Sequence, residues 1–231
     1  MSPGPVARWV AECAGTAILV AIGTGTIVAA GASGGIPSWL MAVAWFVAVL
    51  VPMLLFIQVS GAHLNPAVTL ALAVSGRIAV REAPLYWSAQ FAGAGVASLS
   101  VLAVLGDGSH LGSTVPTGIG PATVFVYEAA FTALLVASVF LLADRGEGPG
   151  RWRLLLPPAA VGLSTFLIGP WTGSSLNPAR TLAPAVVSGT YTDLWVYLLA
   201  VPVAAGLVAL LWRPRTVDVA DRGPGRLDVS A

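Results

Sequence analysis

The chain has 231 residues, of which 57% are hydrophobic and only 9% charged, and its formal net charge is +1. Soluble domains carry about a quarter charged residues, so this composition excludes a water-exposed globular coat and places the chain in a membrane. A single cysteine, Cys13, excludes an intramolecular disulfide; with two histidines far from it in the sequence, no catalytic or metal-ligating cluster assembles, and no enzyme activity, cofactor or nucleic-acid partner is expected.

Apolar stretches of spanning length, ~20 residues, fall at about 8–30, 38–58, 83–105, 122–143, 154–169 and 193–212. The first carries Glu12. It ends on Ala30-Gly31-Ala32, which looks like a signal-cleavage site, but the apolar run is longer than a signal core. Two further pieces, 65–75 and 177–187, would each reach ~16 Å at ~1.5 Å per residue, half of the ~30 Å hydrocarbon core. They read as half-helices. The fifth span looks short because Pro157, Pro158 and Pro170 blur its ends. Glycines at 15, 93, 95, 162 and 206 suit close helix contacts. Residues 1–213 read as one domain, and 214–231, rich in Pro, Gly, Arg and Asp, as a disordered tail.

All eleven basic residues are arginine. Arg8, Arg77, Arg81, Arg145, Arg151, Arg153, Arg213, Arg215, Arg222 and Arg226 fall on one side of the six-span topology, whereas linkers 31–37 and 106–121 have none. The positive-inside rule makes both termini cytoplasmic. Arg180 alone falls on the other side.

Residues 59–71, VSGAHLNPAVTLA, and 171–183, WTGSSLNPARTLA, agree at eight of thirteen positions. AECAGTAILV (11–20) and YEAAFTALLV (127–136) match too, aligning Glu12 with Glu128. The halves, about 7–105 and 122–213, each read span, span, half-helix, span. Three crossings per half invert the second copy, a pattern found in transport proteins. A carboxyl group in a span costs at least ~2.5–3.5 kcal/mol. Symmetric placement of Glu12 and Glu128 reads as bracing of two re-entrant loops, whose backbone donors need internal partners. A proton relay is the other reading.

In each copy asparagine is a strong N-cap, and proline suits the first helical turn. Asn65-Pro66-Ala67 and Asn177-Pro178-Ala179 therefore start the half-helices, bringing two positive dipole ends together near the midplane. Such a passage admits neutral hydrogen-bonding solutes and opposes cations and protons.

With S-G-A-H-L-N-P-A-V-T at 60–69, T-G-S-S-L-N-P-A-R-T at 172–181 and A-E-x-x-G-T at 11–16, the chain resembles the aquaporin and aquaglyceroporin (major intrinsic protein) family from about residue 7 to 213. The resemblance implies an all-α membrane protein of six spans plus two re-entrant half-helices in an inverted repeat. It also implies a homotetramer in the lipid bilayer with one pore per protomer, and a cell-membrane location. It carries a four-residue selectivity constriction onto Trp45, Thr165, Ser174 and Arg180. Tryptophan there fits a carbon backbone, as in glycerol facilitators, and Thr165 is smaller than the histidine of strict water channels. Thr181 and Ala185 look more like the water-channel branch, and the combination resembles plant nodulin-type channels. The expected solutes are water, glycerol and small neutral metalloid acids. The competing reading is a secondary transporter, which shares inverted repeats and broken helices. His63 reads as a loop-packing group, with pH gating as the alternative.

Overall fold

The computed structural model describes residues 3–144 and 151–212, without the Arg151 side chain. The expected tail at 214–231, with Arg145, Arg213, Arg215, Arg222 and Arg226, lies outside the described residues.

The described residues form helices joined by loops and turns. In the first half these are α1 (Pro5–Ala32), α2 (Ser38–Ser60), α3 (Pro66–Val74) and α4 (Ala83–Leu105). In the second they are α5 (Pro121–Ala143), α6 (Leu156–Leu167), α7 (Gly169–Thr172), α8 (Pro178–Ser188) and α9 (Leu194–Leu211). Proline opens α1, α3, α4, α5 and α8 at their first turns, where its missing N–H costs nothing. Helices α1, α2, α4, α5 and α9 are each long and apolar enough to cross a membrane.

The sixth crossing is a composite. Its 12-residue α6 would span only ~18 Å alone. A 3-10 turn over Arg151–Leu155 precedes it, and the single turn of α7 follows a break at Ile168. Pro157 and Pro158 set the start of α6, and Pro170 cannot donate the hydrogen bond that would carry α6 onward.

The two halves repeat one packing plan: α1 lies against α2 and α4, and α5 against α6 and α9. The half-helices are exchanged, so that α3 packs on α9 and α8 on α4. Close crossings rest on small residues. A Cβ on Gly93 would lie 2.1 Å from the Cys13 carbonyl oxygen, and one on Gly162 would lie 3.1 Å from that of Ala42. Gly15 is also tightly packed, under Leu64, whereas Gly95 and Gly206 face open space and serve no close contact. Outward-facing Leu54, Leu55, Val96, Leu99, Phe166 and Leu207 are exposed, as side chains facing lipid are.

One end of the bundle carries two ion pairs, Arg8–Glu82 and Arg77–Asp144. Arg77 also lies over the Phe140 ring, 3.8 Å from its centroid. Arg153 donates to the Leu141 and Asp144 carbonyls.

Candidate functional site

The two matching stretches fold into matching loops. After α2 the backbone is left-handed at Gly61, Ala62 and Leu64 (φ 88°, 48° and 54°). After α7 it is left-handed at Gly173, Ser174 and Leu176 (77°, 47° and 52°). Such conformations cost about 1–3 kcal/mol at each non-glycine position and need fixed partners. Glu12 makes four acceptor contacts, taking His63 N (2.9 Å) and Leu64 N (2.8 Å) of the first loop, Ser60 Oγ (2.6 Å) at the end of α2 and Gln90 Nε2 (2.8 Å) on α4. Glu128 accepts from Ser175 N at 3.0 and 3.1 Å and from Leu176 N at 3.1 Å. Both carboxyl groups are fully buried.

Tyrosine does a second job twice over. Tyr86 on α4 donates to the Ser60 carbonyl at 2.7 Å, and Tyr197 on α9 to the Thr172 carbonyl at 2.6 Å. Ser60 and Thr172 hydroxyls in turn accept from Ala62 N and Ser174 N.

Each asparagine caps its own half-helix. Asn65 Oδ1 accepts from Ala67 N at 2.8 Å, and Asn177 Oδ1 from Ala179 N at 3.0 Å and Arg180 N at 3.3 Å. The amide nitrogens cross over. Asn65 Nδ2 donates to the Leu176 carbonyl at 2.7 Å, and Asn177 Nδ2 to the Leu64 carbonyl at 2.9 Å. An amide carries two N–H donors, so each asparagine keeps one beyond the crossed bond.

Both asparagines line a narrow cavity with about 50 Å³ for the centres of water-sized molecules, where one water needs ~10–15 Å³. A short file of waters fits. Its lining is apolar at Leu19, Val49, Met53, Leu135, Val139 and Val161 and polar at His63, Asn65, Ser175, Asn177 and Arg180. His63 stacks on Tyr86 with ring centroids 4.3 Å apart, its Nδ1 lies 3.2 Å from Thr69 Oγ1, and its buried Nε2 has no partner among the described residues.

Of the four constriction candidates, the structure brings two together on the cavity wall. The Arg180 guanidinium carbon sits 4.6 Å from the centroid of the Trp45 ring, and its Nη1 donates to the Gly112 carbonyl at 2.8 Å. Thr165 and Ser174 are buried nearby, but neither is among the residues lining that cavity. Thr165 turns its hydroxyl to the Val161 carbonyl at 2.9 Å, and Ser174 shares a 2.7 Å contact with Ser164.

The sequence profile of the major intrinsic proteins matches residues 2–212. The chain belongs to the major intrinsic protein family. Among its relatives, maize "Aquaporin NIP1-1" is 37% identical over 209 residues, covering 90% of this chain and 73% of that protein. Maize "Aquaporin TIP2-1" is 36% identical, covering 90% and 86%. The solved structure of an aquaglyceroporin from Plasmodium falciparum superposes with TM-score 0.79 at 25% identity, covering 92% of this chain and 97% of that one. This major intrinsic protein is thus an integral membrane protein of six crossings and two half-helices.

Several site residues escaped the sequence reading. Ser60 and Thr172 sit at mismatched positions of the repeat, and their shared hydroxyl was the available signal. Tyr86 and Tyr197 occupy equivalent places in the last spans of the two halves. The Gly112 carbonyl had no signal, since backbone groups leave none.

Proposed function

We propose that this chain is a passive transmembrane channel for water and small uncharged solutes, glycerol-like molecules and neutral metalloid acids among them, that excludes ions and protons. The observation carrying this reading is the pair of crossed asparagine caps. They turn two helix N-termini, each with about half a positive charge, onto one narrow lumen whose lining is otherwise largely apolar. A neutral hydroxylated solute finds donors there, whereas a cation meets two dipole ends and the Arg180 charge. The names of the plant aquaporins and the parasite aquaglyceroporin support the same reading.

Asn65, Pro66, Ala67, Asn177, Pro178 and Ala179 form the central station. Trp45, Thr165, Ser174 and Arg180 form the selectivity constriction. With the Thr165 hydroxyl hydrogen committed to the Val161 carbonyl, Arg180 carries the strongest donors of the constriction. Glu12 and Glu128 brace the loops. Residues 1–213 act as one channel domain in a homotetramer of the cell membrane, with both termini cytoplasmic.

The test is stopped-flow light scattering on one liposome preparation challenged with water, glycerol and boric acid gradients. Non-saturating fluxes without ion coupling are expected. Saturable, ion-coupled uptake would replace the channel with a secondary transporter.

A further inference from the structure

The tip of the Trp45 indole has a floor. On α1, Gly23 leaves no side chain where a Cβ would stand 2.4 Å from Trp45 Cη2, 2.5 Å from Cζ3 and 2.6 Å from Cζ2. No real Cβ tolerates such distances, so the ring reaches its place only because residue 23 has none. Alanine is the better helix former at an interior position, so glycine at 23 costs α1 some helix stability while leaving the indole its seat. Gly25, two residues on, offers a contrast: a Cβ there would make only ordinary contacts, 3.8 Å from Leu105 and Val101.

We infer that Gly23 is a specificity-determining residue of this channel, which acts by setting how far the Trp45 indole recedes from the lumen. The ring is held between two neighbours: its tip rests on Gly23, and the Arg180 guanidinium lies over it. A methyl group at position 23 blocks the seat from below. The ring then moves toward Arg180 and into the passage, because the packed wall of α1 does not yield on the scale of a methyl. Water, one heavy atom wide, tolerates that narrowing better than a three-carbon polyol. The inference rests on the reading of Trp45 as a constriction residue.

The experiment measures glycerol and water permeabilities in liposomes for Gly23→Ala, Trp45→Phe, their double variant and the control Gly25→Ala. Gly23→Ala should lower the glycerol-to-water ratio about tenfold, the scale of a one-methyl clash in a fitted pocket, while Gly25→Ala leaves it unchanged. Phenylalanine lacks the indole tip, so adding Gly23→Ala to Trp45→Phe should leave the Trp45→Phe ratio as it is. An unchanged ratio in Gly23→Ala, or equal shifts in both backgrounds, overturns the inference. Trp45→Phe that leaves the ratio at the wild-type value removes Trp45 from the constriction, and the proposed filter fails first. Should Gly23→Ala not assemble alone, recovery of folded protein in the double variant supports the indole contact, and failure of both overturns it.

Discussion

Arg180 is a fully buried cation held by the Gly112 and Gly173 carbonyls and an indole face, with no carboxylate bonded to it among the described residues. Intramembrane charge costs at least ~2.5–3.5 kcal/mol, whereas a desolvated cation–π contact returns about 2 and a charged hydrogen bond about 1.5–3. The arrangement roughly balances, and it leaves the charge without a neutralising partner among the described residues. Arg180→Ala should fold and raise proton or cation leak, read with a pH-sensitive dye inside liposomes; unchanged leak would take Arg180 out of the filter. The two glutamates differ in their demands. Glu12 accepts from four groups and Glu128 from two. Glutamine has one acceptor oxygen, so Glu12→Gln strands Leu64 N or His63 N, and each stranded donor costs about 1–3 kcal/mol. Glu128→Gln can still serve Ser175 N and Leu176 N. Thermal unfolding in detergent should therefore show the larger drop for Glu12→Gln, and the reverse order would contradict the bonding described. At this scale the motif residues were legible because each needs a particular side chain. The hydroxyl directions of Thr165 and Ser174 were not, since Val161 and Ser164 decide them in three dimensions.

Among the elements, α3 and α8 were the most legible. Asparagine followed by proline marks a helix start by itself, and the expected 65–75 and 177–187 lie within a residue of Pro66–Val74 and Pro178–Ser188. The composite crossing of α6 and α7 was the least legible, because three prolines made its ends look like a short span rather than a broken one. What the sequence could not show is that each cap also serves the other half-helix. Asn65→Asp isolates that second duty: the carboxylate still caps α3 but loses the donor to the Leu176 carbonyl. A negative charge at a helix N-terminus gains about 0.3–1 kcal/mol. Losing a buried bond and facing a carbonyl costs about 1–3 kcal/mol, so the cost wins. Asn65→Asp should unfold at lower temperature than wild type in detergent, and an equal or higher midpoint would show the crossed bond to be idle.

For the molecule as a whole, inversion was readable from the two glutamates and two asparagines at nearly constant offset, because three crossings per half leave no other topology. The exchange of half-helices between halves, with α3 on α9 and α8 on α4, was not, since it depends on contacts between elements far apart in the chain. Solute choice belongs to this scale, for the lumen is shared by both halves. Trp45→Phe with Thr165→His should reduce glycerol flux more than water flux in the same liposomes; equal reduction would mean that the constriction lies elsewhere. The crossed caps also bear on how the chain is made. Leu64 waits for Asn177, which follows it by 113 residues. Synthesis adds ~5–20 residues per second, so on the order of ten seconds pass before that carbonyl meets its donor. The first loop therefore finishes folding only after the second has entered the bilayer, and the earlier half emerges from the ribosome as an unfinished surface that water or the insertion machinery has to cover.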